Sequence, residues 1–180
     1  TGGFLINSYL HILKKYNSEE SNKSERILGD DLTDVQSEFL INNQLFGFDF
    51  EKPMTQFSQM NMILHGFKQP NIEYENSVGK KFNHDEEYDI ILANPPFSGS
   101  LNKSEKHEDF GIESNATELL FVELCYKKLH VGGQAAIIVP TNVLFGTSKS
   151  HQFIKNLLLE KSELDTIIYL PKGVFKPYAA

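Results

Sequence analysis

Residues 88–93 read Tyr-Asp-Ile-Ile-Leu-Ala, a β-branched apolar run, and Asn94-Pro95-Pro96-Phe97 follows at once. No other stretch restricts the fold so tightly. The run has the length and composition of a buried strand, and the double proline must end it, because proline has no N–H for the ladder and disfavours helical backbone in the residue before it. A rigid turn therefore holds an amide side chain and an aromatic ring at the carboxyl end of a strand, the edge of open α/β sheets where ligands bind. Asn94 offers a carbonyl acceptor and an amide donor, the Pro95 carbonyl precedes a residue with no N–H, and Phe97 offers a face for stacking. These groups can grip a planar amine such as the exocyclic amino group of a base.

Around this turn, helix and strand signals alternate. Phe4, Leu5, Tyr9, Ile12 and Leu13 recur at helical spacing after Thr1-Gly2-Gly3, which predicts a helix over residues 2–16. Residues 18–34 are polar and read as a loop, and residues 44–49 as a strand ending in Asp49. Pro53 then sits in the first turn of a helix whose inner face is expected to carry Phe57, Met60, Ile63 and Leu64 and which Gly66 stops. Residues 71–77 form a short strand candidate. Residues 98–115 hold no apolar period and predict an exposed, mobile loop beside the turn. Thr117 is placed to cap a helix that ends in Lys127, Lys128 and His130, with Gly132-Gly133 as its stop. A strand over 134–140, a helix capped by Ser150 and a last strand over 164–170 complete the order, which implies parallel strands joined by crossover helices.

Composition narrows the function classes. A chain of 180 residues, 40% hydrophobic and 23% charged, suits one α/β domain. Its formal charge of −7 disfavours a protein that holds nucleic acid unaided, since such affinity is built from lysine and arginine contacts to phosphates, so a DNA substrate would need a grip supplied by another domain or subunit. A single cysteine, Cys125, lies in an apolar helical stretch and reads as core. Six scattered histidines without ligand spacing imply no metal. No basic-plus-apolar leader and no apolar run long enough for a bilayer are present, which predicts no membrane partner and a cytoplasmic setting.

The Asn94-Pro95-Pro96-Phe97 turn resembles the signature of amino-group methyltransferases acting on adenine N6 in DNA. The resemblance extends through Thr1-Gly2-Gly3-Phe4, Met60-Asn61, Leu64-His65-Gly66, Phe110-Gly111-Ile112, Leu129-His130-Val131-Gly132-Gly133, Val143-Leu144-Phe145-Gly146 and Leu170-Pro171-Lys172-Gly173-Val174-Phe175. Taken together, these are similar to the methylation subunit of type I restriction-modification systems. The resemblance implies a doubly wound, Rossmann-like S-adenosylmethionine-dependent methyltransferase fold over residues 1–180. It implies DNA as substrate, with a specificity subunit and a restriction subunit as partners. Catalysis would fall to Asn94, Pro95, Pro96 and Phe97, with S-adenosylmethionine held by Thr1, Gly2, Gly3, Phe4, Asp49 and Asn76. The chemistry agrees: adjacent glycines let a ligand approach the backbone, a helix N-terminus favours a carboxylate, and an acid at a strand end can accept two ribose hydroxyls.

Two departures from that pattern stand out. The chain starts inside the cofactor loop, which implies a piece of a longer protein whose first, central strand, helical amino-terminal domain and carboxyl-terminal extension lie outside it. Without that strand, two neighbours would have open edges and an exposed apolar seam. Asn76 stands where the family usually has an aspartate; its carbonyl can still accept from the cofactor's adenine amine. Three other readings stay open: a noncatalytic remnant or interaction module, a methyltransferase of the same motif type acting on protein glutamine or RNA guanine, and a nucleotide-binding oxidoreductase.

Overall fold

The computed structural model describes residues 1–17, 28–171 and 173–175. The chain divides into two compact units, Thr1–Ser77 and Val78–Ala180. Most of the polar stretch expected as a loop, residues 18–27, lies outside the described residues.

The first unit contains α1 (Gly3–Lys15), α2 (Asp34–Asn43), β1 (Phe46–Asp49), α3 (Lys52–Leu64) and β2 (Asn71–Tyr74). β1 and β2 pair in parallel, with Phe46 opposite Asn71 and Asp49 opposite Tyr74, so α3 is the crossover. Ile6, Leu45, Met62, Phe67 and Ile72 form the core, and Tyr9 meets the Phe67 ring edge-on at 4.8 Å. Gly47 leaves room for this packing: a Cβ would stand 2.8 Å from Ile72 Cδ1 and 3.1 Å from Leu5 Cδ1, so both side chains would have to shift. Helix α2 was not anticipated, yet it opens on a capping box, in which the Thr33 side chain accepts from the Gln36 N–H and the Gln36 side chain accepts from the Thr33 N–H.

The inner face of α3 corrects the sequence reading. Phe57, Met60, Ile63 and Leu64 are exposed, Leu64 at 83%, and the buried face is Thr55, Ser58 and Met62. Ser58 and Met62 of this face lie against the glycine loop and Thr55 reaches the end of β1.

The second unit contains β3 (Tyr88–Ala93), α4 (Thr117–Lys128), β4 (Leu129–Ile137), α5 (Asn142–Phe145) and α6 (Lys149–Glu160). β3 and β4 are parallel with α4 as crossover, and Ile90 to Ala93 stand opposite Gln134 to Ile137. Val78, Ile112, Leu119, Leu120, Val122, Val143 and Ile154 form its core. Among the described residues β1 pairs only with β2 and β3 only with β4. β3 is therefore not the buried strand its composition suggests: Ile90 is 67% and Leu92 40% exposed.

Other boundaries shift for local reasons. Gly132-Gly133 does not stop α4, which ends at Lys128; both glycines lie inside β4, where the register slips between Tyr88 and Ile90 and Gly132 takes φ 88°. Thr117 is the first residue of α4 and not its cap, and Ser148 rather than Ser150 caps α6 by accepting from the His151 N–H. Residues 164–170 form no ladder among the described residues, and Ile167, Ile168 and Tyr169 are exposed.

The segment after Phe97 is tied down rather than loose. Leu101 N–H donates to Asn115 O at 2.9 Å and Thr117 N–H to Gly99 O at 3.1 Å, which joins its two ends. Lys106 Nζ donates to Ile112 O at 2.6 Å, and Ser114 N–H donates to Ser150 Oγ at 3.1 Å. Ile112 is 2% exposed.

Candidate active site

Each unit carries one group of the sequence-predicted residues. In the second, the last ladder bond runs from Ile138 N–H to Ala93 O at 3.0 Å, and the double-proline turn begins on the next residue. The Pro95 ring is buried, whereas Asn94 and Pro96 are exposed. Among the described residues the Asn94 side chain makes no hydrogen bond, so its carbonyl oxygen and amide are both available. Phe97 is half-buried, and its ring meets that of Phe175 at 4.9 Å between centroids and 74° between planes. Phe175 had no assigned role in the sequence reading. The turn that delivers it, with Val174 N–H donating to Pro171 O at 3.4 Å and Gly173 at φ 88°, was legible as Pro171-Lys172-Gly173.

In the first unit, Gly2 precedes α1 with φ 71°, a left-handed conformation, and accepts from the Ile6 N–H at 3.0 Å. A Cβ at Gly2 would stand 3.4 Å from both Met62 Cγ and Ser58 O, so α3 presses against the loop. Asn61 of α3 donates to Thr1 O at 3.0 Å. Around Gly3 a Cβ would find only Thr1 Oγ1, at 3.8 Å, so the backbone at the start of α1 is open to approach. Phe4 is 45% exposed.

Asp49 ends β1, half-buried, with one carboxylate oxygen accepting from the Glu51 N–H at 2.9 Å. Its main-chain oxygen accepts from Glu75 N–H at 3.0 Å and from the Thr55 hydroxyl at 3.4 Å. Asn76 lies two residues beyond the end of β2, at the same carboxyl edge as Asp49. The glycine loop and Asp49 thus share one helix, α3, which touches the first through Ser58, Asn61 and Met62 and the second through Thr55.

Sequence reasoning also missed Glu123. Its carboxylate is 1% exposed, accepts from Gly111 N–H at 2.6 Å and Ile112 N–H at 3.2 Å, and pairs with Lys127 Nζ at 3.1 Å. Cys125 is buried as expected, and burial pushes its thiol from 9.0 up to about 12. Among the described residues, no helix is long and apolar enough to cross a membrane.

The model of the N-6 DNA Methylase family matches residues 1–180. The chain is 32% identical over 182 residues to the type I restriction enzyme EcoEI methylase subunit of Escherichia coli, covering 99% of this chain and 34% of that protein. It is 29% identical over 181 residues to the EcoKI methylase subunit of Escherichia coli strain K12, covering 97% and 32%. Among solved structures, a chain from a type I R-M system studied for complex assembly and conformational transition superposes with a TM-score of 0.79 at 30% identity, over 99% of this chain and 34% of that one. The crystal structure of the EcoKI M protein gives 0.74 at 29% identity, over 83% and 32%. The chain spans about a third of the length of these relatives.

Proposed function

The chain belongs to the N-6 DNA methylase family, and from that premise we propose that the protein carrying it transfers a methyl group from S-adenosylmethionine to adenine N6 in DNA. In this reading residues 1–180 are methyltransferase catalytic domain of the doubly wound, Rossmann-like kind. The protein is the methylation subunit of a cytoplasmic type I restriction-modification system, with a specificity subunit and a restriction subunit as partners. The formal charge of −7 supports a division of labour in which another subunit grips the DNA phosphates.

The observation that carries the reading is the Asn94 side chain, exposed and without a hydrogen bond among the described residues, one residue past the last β3–β4 ladder bond. Its carbonyl oxygen and the Pro95 carbonyl can each accept a hydrogen bond from an N–H of the target amine, which turns the nitrogen lone pair outward. Phe97 stacks on the extruded base, since an adenine inside a duplex cannot reach an enzyme's reacting groups. The residues of the first unit fit S-adenosylmethionine: the open backbone at Gly3 and the start of α1 suit its carboxylate, and the second oxygen of Asp49 suits its ribose hydroxyls. When bound, that molecule supplies an electrophilic methyl group on sulfonium. The work left to the chain is orientation, so Asn94 and Phe97 act by holding the amine in line and no covalent enzyme intermediate is needed.

The test is transfer of labelled methyl from S-adenosylmethionine to duplex DNA by the protein carrying this chain, with its specificity subunit present. N6-methyladenine in the digested product supports the reading. Label found instead on protein glutamine or RNA guanine, or on nothing, sinks it.

A further inference from the structure

Phe110-Gly111-Ile112 has no part in the reaction as proposed, yet four consecutive residues around it are gripped by one turn of α4. Oε1 of Glu123 accepts from the Gly111 N–H at 2.6 Å and Oε2 from the Ile112 N–H at 3.2 Å. Lys127, one turn on, pairs with Glu123 at 3.1 Å, donates to the Asp109 carbonyl and lies 5.6 Å over the Phe110 ring. From the other side a Cβ at Gly111 would stand 2.9 Å from Phe153 Cζ, so a side chain there would have to displace that ring. An acid that is 1% exposed is expensive to bury, and two N–H donors with an ammonium are what make it tolerable.

The gripped residues belong to the segment that leaves Phe97 and returns to α4. Its near end is fixed where Thr117 N–H donates to Gly99 O at 3.1 Å, two residues from Phe97, and a Cβ at Gly99 would stand 2.9 Å from Thr117 Oγ1. The same helix therefore sets both the far part of the segment, through Glu123 and Lys127, and its near end, through Thr117. We propose that Glu123 is a positioning residue: by fixing Gly111 and Ile112 it docks the far part of the 98–116 segment on α4, the helix whose Thr117 holds Gly99, so that the segment as a whole keeps the Phe97 ring in the orientation that receives the target base. The proposal rests on the adenine methyltransferase reading above.

Glu123→Gln tests it. The amide keeps one acceptor oxygen but turns an NH2 toward a backbone N–H, so one of the two bonds is lost with no change in volume. Amide hydrogen exchange at Gly111 and Ile112 should speed up by about tenfold or more, and kcat/KM for DNA should fall by a similar factor of about ten, the scale of one hydrogen bond to a charged group. Affinity for S-adenosylmethionine should stay within about twofold, because residues 1–4 and Asp49 belong to the other compact unit. Since loss of a buried acid can unfold a domain, Gly111→Ala provides a second arm: the methyl group collides with Phe153, which is 41% exposed, and adding Phe153→Ala should restore DNA turnover. Faster exchange with unchanged DNA kinetics overturns the proposal. So does an equal loss of cofactor binding, or a Gly111→Ala defect that Phe153→Ala leaves in place. Failure of the wild-type protein to methylate adenine in DNA is a separate result, and it removes the functional reading itself.

Discussion

Phe97 and Phe175 meet edge to face, with ring centroids 4.9 Å apart and planes at 74°, although 78 positions separate them in the sequence. Such a contact restrains the tilt of both rings, so in the proposed reading Phe175 resists rotation of the ring on which the base would stack. Phe97→Ala should therefore weaken capture of the target base by about 1–3 kcal/mol, the usual worth of a base-aromatic stack. Phe175→Ala should cost less, about 0.5–1.5 kcal/mol, the scale of an aromatic pair. The double substitution should be no worse than Phe97→Ala alone, because Phe175 acts through Phe97. Fluorescence of a 2-aminopurine at the target position, titrated with each variant, reads this; fully additive losses would mean that Phe175 touches the base on its own account.

Asn94 gives the sharpest separation of chemistry from binding. Its side chain is exposed and makes no hydrogen bond among the described residues, so Asn94→Ala should leave the thermal midpoint unchanged and leave S-adenosylmethionine affinity close to wild type. Methylation of adenine should be abolished. Turnover at the wild-type rate in the assembled enzyme would remove Asn94 from the reaction.

Much of this was legible in the chain itself, and the failures have physical causes. The bounds of β3 were readable because proline ends a ladder whatever packs around it. The burial of β3 was not, since apolar composition states what a strand can be covered by and not whether a described neighbour covers it; Ile90 and Leu92 remain exposed. The same limit misassigned α3: its period marks a stripe at Phe57, Met60, Ile63 and Leu64, but the covered face is the one that meets the glycine loop through Ser58 and Met62 and the end of β1 through Thr55. Gly132 satisfied its glycine signal in another way, because a positive φ serves a strand irregularity as well as a helix end. Helix α2 carried a readable Thr33–Gln36 capping box that went unused. Glu123 was hidden by its own spacing, since an acid four residues before Lys127 on a helix ordinarily marks a solvated pair.

Cys125 is buried on α4, as Leu119, Leu120 and Val122 are, and burial raises its thiol from 9.0 to about 12. The folded thiol is therefore protonated at neutral pH and should resist alkylation by iodoacetamide until the protein unfolds. The linkage has a definite sign: between 9.0 and about 12 the folded state holds a proton that the unfolded state has lost. The contribution is fully present below 9.0 and disappears as pH rises toward 12. Cys125→Ala should flatten this part of the alkaline unfolding curve, measured by denaturant titration across that window. An unaltered alkaline slope would place the titration elsewhere.

Asp49 does two jobs that one substitution can pull apart. One carboxylate oxygen accepts from the Glu51 N–H at 2.9 Å and so shapes the entry to α3, while the other is left for a ligand at the carboxyl edge of β1 and β2. Asp49→Asn can keep the first bond through its carbonyl oxygen, but its NH2 cannot accept from a ribose hydroxyl. Affinity for S-adenosylmethionine should fall by about 1.5–3 kcal/mol, the scale of hydrogen bonds to a charged group. The thermal midpoint should hardly move. Asp49→Ala should show the same loss of affinity together with a lower midpoint, because the turn onto α3 goes with it. Calorimetric titration of the two variants beside thermal unfolding distinguishes the roles. If Asp49→Asn binds as tightly as wild type, the ribose is held by another residue and the second oxygen of Asp49 faces only water.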